Sequence, residues 1–187
     1  MNSSTYLGGI GEETGYGIDV DANGYIYVTG YTQATNNPYS GFPLKNPYQS
    51  NKLGIQDAFV TKFNPNGLSL NFSTFIGGNL VDEGTGIVVD ETGSAFITGF
   101  TDSSNFPTAG PLYTNMDGFK YDAFVTRFLP NGTGLMYSTY LGGEYDDRAM
   151  GIARQGANVS VVGWTDSRDF PLKNPVQPTY RFAFDVS

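Results

Sequence analysis

Apolar and β-branched residues run through this chain in short stretches such as "YIYVTGYT", "DAFVTKF" and "LSLNFSTFIG". Clusters of Gly, Asn, Asp and Pro separate them. No window of about 11–18 residues carries a clean helical apolar stripe, whereas short runs rich in Val, Ile, Thr, Tyr and Phe predict strands. The links between the runs agree. "DANG" and "ETGS" are tight turns suited to hairpins. "NPNG" and "LPNG" put Pro and Gly where β-turns want them. Several runs, "GIVVD" and "SAFITGFT" among them, are nearly continuous rather than alternating. That pattern predicts burial on both sheet faces, whereas a sandwich sheet leaves one face polar.

The runs also repeat. "STYLGG" at 4–9 returns at 138–143, with "STFIGG" at 73–78. Gly17, Gly86 and Gly151 each stand eight positions after the second Gly of a hexapeptide. "GIDVDANGYIYVTGYT", "GIVVDETGSAFITGFT" and "GIARQGANVSVVGWT" follow, then a looser region with "FP" at 42–43, 106–107 and 170–171. "DAFVTKFNPNG" at 57–67 and "DAFVTRFLPNG" at 122–132 lead into the next hexapeptide. Each unit reads as four strands, a to d, and periods above 50 residues in a β-rich chain point to propeller blades. The predicted class is an all-β propeller of four-stranded antiparallel blades, with three blades' worth of strands. Its units cover about 4–72, 73–137 and 138–187 in the order d-abcd-abcd-abc. Gly30, Gly99 and Gly163 fall mid-strand, where Gly normally weakens a sheet. Their return predicts close approach of a neighbouring blade. The aromatic that follows each, Tyr31, Phe100 or Trp164, reads as packing between blades.

Composition narrows the chemistry. Charged residues make up 15% of the 187, the net charge is −8, and no basic cluster occurs, so nucleic acid is a poor partner. No apolar run approaches the ~20 residues of a membrane helix, which argues against membrane insertion. "MNSSTYL" has neither the basic nor the hydrophobic region of a signal peptide. With no Cys and no His, the chain cannot build a thiol nucleophile, a Ser-His-Asp triad or a His/Cys zinc site.

The hexapeptide, "GYGIDVDANGYIYVTGYT", "FP" and "DAFVTKFNPNG" together closely resemble the bacterial SBBP ("seven-bladed beta-propeller") repeat. The resemblance implies a four-stranded blade in large, mostly secreted or surface-attached bacterial proteins, and hence an extracellular or cell-surface location. It carries no common catalytic motif. The third unit departs from the pattern, with "RQGAN" at its a–b turn and "RFAFDVS" for its c strand, where Asp185 stands at the place of Val60 and Val125.

Three features are candidates for chemistry. "DVDANG" at 19–24 opens like a calcium loop, but Gly30 occupies the position of the required bidentate acid, and a hairpin turn is the better reading. The d-to-a connections each carry one acid at an equivalent place, Glu13, Asp82 and Asp147. Near a propeller axis these acids would ring the channel mouth, bind a polar ligand or hold calcium weakly; alternatively they only solvate short loops. No other cofactor is expected. The b-to-c segments 33–56, 102–121 and 166–181 vary most, and variation on a regular scaffold is where function sits. Asp102 and Asp166 open two of them and join the candidate ligand-binding residues.

The expected function is a non-enzymatic binding or structural module that meets a glycan or a surface protein through one propeller face. The alternative is a glycan-active enzyme with paired carboxylates from different blades. Three blades fall short of the four to eight that typically surround an axis. The chain is therefore expected to self-associate as a homodimeric six-bladed ring, or to join further blades of a longer chain.

Overall fold

The hairpin turns work as the sequence suggests. At the first, Asp21 Oδ1 accepts hydrogen bonds from the Asn23 and Tyr25 amides at 2.9 and 3.1 Å, and Gly24 takes φ +81°. This is the Asx-type turn that Asp and Gly favour; the "DVDANG" stretch is a hairpin. The computed structural model describes residues 4–116 and 120–180. Ten strands occur among them, and no helix. They are β1 (Glu13–Val20), β2 (Ile26–Thr32), β3 (Asp57–Phe63), β4 (Leu70–Ile76), β5 (Asp82–Val89), β6 (Ala95–Thr101), β7 (Asp122–Phe128), β8 (Leu135–Leu141), β9 (Asp147–Gln155) and β10 (Asn158–Thr165).

Antiparallel pairing gives the sheets β1-β2-β3-β4 and β5-β6-β7-β8 and a two-stranded sheet of β9 and β10. These are two complete blades and the inner half of a third, an incomplete propeller. The third c strand expected at 181–187, with Asp185, lies outside the described residues. The d strand expected at 4–9 is not a strand. A strand exists only through its ladder, and no described c strand lies beside this segment to supply one.

Period-two alternation sorts each blade's side chains onto two faces. One face of the first blade offers Tyr27, Ala58, Val60, Phe72 and Ile76. The opposing face of the second offers Ala95, Ile97, Phe124, Phe128 and Tyr140, and the two sets merge into one buried cluster. Burying each large side chain contributes about 1.5–3 kcal/mol, so this junction is the energetic centre of the molecule. The Phe of the second "FP" joins this junction, and that of the first packs into a smaller cluster on the other face of its own blade. Phe42 lies 4.8 Å from Phe59 and 5.7 Å from Phe75, and Phe106 lies 4.5 Å from Phe124, centroid to centroid.

The b-to-c segments are more than connectors. Lys45 exchanges backbone hydrogen bonds with Ser73 on β4, and Ala109 does the same with Ser138 on β8. Each segment thus turns back along the outer strand of its blade and covers the edge that would otherwise invite foreign strands.

Every inner strand carries a β-bulge at the same place. Gly15 and Gly17 pair with successive residues of β2, so Tyr16 has no partner; Thr85 and Met150 are extruded likewise from β5 and β9. The bulge explains two sets of recurring glycines. A Cβ on Gly30, Gly99 or Gly163 would collide with the carbonyl of Thr14, Glu83 or Arg148, which the bulge folds back onto it. The approach expected from a neighbouring blade therefore comes from the blade's own inner strand. The neighbouring blade is met instead at Gly17 and Gly86, where a Cβ would stand 3.2 Å from Gly86 Cα and 3.4 Å from Gly151 Cα. Phe100 does pack between blades, under Arg148 of the third unit. Tyr31 stacks on Tyr16 of its own blade at 5.9 Å, and Trp164 is 45% exposed.

Candidate functional site

In an antiparallel blade the d-to-a and b-to-c links leave from the same end of the sheet, and here they interlock. The Asp82 amide donates to Gln56 O at 3.0 Å, across from the first blade, and the Asp102 amide donates to Val81 O at 3.1 Å within the second. One unit on, the Asp147 amide donates to Tyr121 O at 2.7 Å and the Asp166 amide to Asp146 O at 2.8 Å. The second and third d-to-a links are thus threaded between the b-to-c segments of their own blade and the preceding one. The loops form one continuous surface, fixed by backbone hydrogen bonds.

Two of the three equivalent acids lie beneath that surface, and Glu13 is half-buried. Asp82 and Asp147 are fully buried. Asp82 Oδ1 accepts a short hydrogen bond from Thr101, while Oδ2 accepts the Ser103 hydroxyl at 3.1 Å and the Gly78 amide at 2.8 Å. Asp147 Oδ2 accepts the Ser167 hydroxyl at 2.7 Å and the Gly143 amide at 2.8 Å. The same Ser hydroxyls receive the Leu80 and Tyr145 amides at 2.9 Å. Each acid is therefore the hub of a polar knot that ties a d-to-a link to the "TDS" of its own blade. In the first unit Glu13 replaces Asp and Ala34 replaces Ser, and among the described residues Glu13 keeps only the Thr32 hydroxyl, at 2.8 Å.

The knots account for the Gly-Gly of the hexapeptide. A Cβ on Gly77 would stand 2.7 Å from Asp82 Oδ2 and 2.8 Å from Asp57 Cγ; on Gly142 it would stand 2.6 Å from Asp122 Oδ1 and 2.9 Å from Asp147 Oδ2. Each junction thus holds two carboxylates, one from the start of a c strand and one from the start of the next a strand. Asp57 accepts the Leu53 and Gly54 amides at 3.0 and 2.9 Å. Burial pushes the Asp82 carboxyl up to about 7, against its hydrogen bonds and reinforced by Asp57. Burial raises Asp57 as well.

No hydrogen bond joins any two of Glu13, Asp82, Asp147, Asp102 and Asp166 among the described residues. Asp102 Oδ1 accepts the Val81 amide at 2.6 Å, and Asp166 is exposed beside Glu144, Tyr145, Arg168 and Asp169. No group of three or more acidic side chains among the described residues is placed to hold a metal ion. Asp57 and Asp122 escaped the reading of the sequence, although their signal was there in the invariant Asp that opens both "DAFVT" segments.

Comparison with known proteins agrees with the geometry. Residues 4–37 and 71–107 match the SBBP beta-propeller repeat family, so the chain contains two stretches of that repeat. Each match spans a hexapeptide, the bulged inner strand and strand b. No curated protein matches the chain.

Proposed function

We propose that the chain is a non-enzymatic binding or structural module of the cell surface or extracellular space, which meets its partner through the interlocked loop surface. The observation that carries this reading is the division of labour within each unit. Regular strands and buried knots hold a frame, and the variable segments 33–56, 102–121 and 166–181 are displayed together at one end of it. The carboxylate pairs at Asp57/Asp82 and Asp122/Asp147 are interior groups committed to the frame, which supports the module over a glycosidase with two acids across an open cleft.

Blade faces at both ends support association with further blades, from a second copy or a longer chain. On the first blade Ile26, Val28 and Phe63 line a shallow hollow with Leu7, and on the third unit Val162 is 68% exposed. In a six-bladed homodimer the 4–9 segment would find the c strand it lacks. Light scattering at micromolar concentration tests association, and a well-folded 20.2 kDa monomer refutes the dimer. Replacing 33–56 with a Gly/Ser connector tests the surface: folding should survive and partner binding should fall. Binding that survives the equivalent change in all three segments refutes it. A calcium titration read by thermal melting tests a weak ion at Glu13, Asp82 and Asp147, because a ligand of the native state raises its stability.

A further inference from the structure

The three bulges converge on one space. Tyr16, Thr85 and Met150, the extruded residues of β1, β5 and β9, line a cavity of about 540 Å³ on the inner wall of the propeller, close to the loop surface. Glu83, Phe100, Arg148 and Trp164 complete it. Bulges re-aim side chains in this way beside functional sites. The side chains at equivalent positions here differ completely, which a purely structural repeat would not require.

Arg148 is the unusual member. Its guanidinium carbon stands 4.1 Å from the Tyr121 ring, 4.5 Å from Phe100 and 5.5 Å from Trp164. Its Nε is buried without a hydrogen-bond partner, and Arg148 forms no ion pair among the described residues. Glu83 also lines the cavity and feels the Arg148 charge, but it is hydrogen-bonded by Gln56 and Tyr16 and makes no ion pair with Arg148. A buried, unpaired donor group is costly. Three rings surround this one, in a chain with few cations and a net charge of −8. The two terminal nitrogens of a guanidinium can match a carboxylate bidentately. Beside it Trp164 and Tyr16, 45% and 51% exposed, offer apolar ring faces, while the Thr85 hydroxyl is already given to Ala149 O at 2.7 Å and Glu83 is held by Gln56.

We propose that this cavity binds a saccharide bearing a ring carboxylate, a uronic acid, with its carboxylate on Arg148 and its pyranose face against Trp164. The proposal names a ligand class for the loop end of the propeller and so rests on the binding-module reading above.

Calorimetric titration of the whole chain with trigalacturonate and with its methyl ester, at low salt, tests it. The ester keeps the ring and removes the charge. The acid should bind, and the ester should bind at least about tenfold more weakly, the worth of one charge-assisted contact. Arg148→Gln should cause a similar loss. Because Arg148 is packed among rings, Met150→Glu serves as a second variant. It places a negative charge in the cavity from an exposed, unpaired position, and it should abolish acid binding without shifting the thermal midpoint. No binding of the acid at millimolar concentration overturns the proposal, as does equal binding of acid and ester. Acid binding that survives both variants but is lost when 33–56 is replaced also overturns it, and leaves the loop-surface reading standing.

Discussion

The second blade and the third unit are written in nearly the same letters and live in different surroundings. "AFITGFT" in β6 is buried at every position, while "NVSVVGWT" in β10 alternates between half-buried and exposed. Phe100 and Trp164 occupy the same place in the repeat, yet the first is 6% exposed and the second 45%. A blade's apolar content is thus matched to two neighbours, and the third unit carries the content with only one of them in place. Exposure along β10 reports how many neighbours a strand has, not a different local fold, and it leaves Trp164 open to the cavity beside Arg148.

That contrast is testable in order of size. Phe100→Ala should cost about 3–4 kcal/mol in urea unfolding, as large-to-small changes in a packed core do, and Trp164→Ala under about 1 kcal/mol in a monomer. An equal cost at micromolar concentration, falling on dilution, would mean that the third unit's face is covered in solution. Removing a knot should matter nearly as much. Asp82→Ala leaves Thr101, Ser103 and the Gly78 amide without their acceptor and should cost roughly 2–3 kcal/mol, against less than about 1 kcal/mol for Glu13→Ala. Similar losses for the two would show that the knots are not what distinguishes the units.

The raised Asp82 carboxyl predicts a pH dependence. The fold holds this proton up to about 7, while the unfolded chain releases it near the ordinary 3.8. Between those values the native state binds more protons, so stability should fall as pH rises from 3.8 towards 7 and then level off, by at most about 4 kcal/mol in total. Asp82→Asn should flatten that slope in urea titrations from pH 4 to 8, and an unchanged slope would assign it to other groups. The smallest effect is a gain. Glu13→Asp with Ala34→Ser rebuilds the missing knot and should add about 0.5–1 kcal/mol beyond the sum of the single changes. Simple additivity would mean that the first unit's link cannot close over the shorter acid.

The repeat, the strand order within a blade and the hairpin turns were legible because each rests on local chemistry. Asp and Gly at 21–24 make a turn wherever they occur, and period-two runs make strands. The acids at 82 and 147 were legible as special positions, but their occupation was not. A carboxylate on a Gly-rich link looks solvated in one dimension, and only the fold brings "TDS" from some twenty residues away to close over it. Asp57 was hidden for the same reason, since it meets Asp82 only when two blades dock. The first hexapeptide misled in the opposite sense, because its letters are those of a d strand and no described partner stands beside it.

The extruded positions carry one further consequence. Tyr16, Thr85 and Met150 lie outside the backbone ladders, between residues that fix the bulge, and only Thr85 spends its side chain on a neighbouring unit, donating to Ala149 O at 2.7 Å. Duplication of such a unit copies the frame and supplies a fresh, independently variable side chain to the same space. A lineage built this way can search combinations of wall residues without disturbing the backbone ladders of its blades, which is the arrangement a laboratory library maker would choose when randomising these codons.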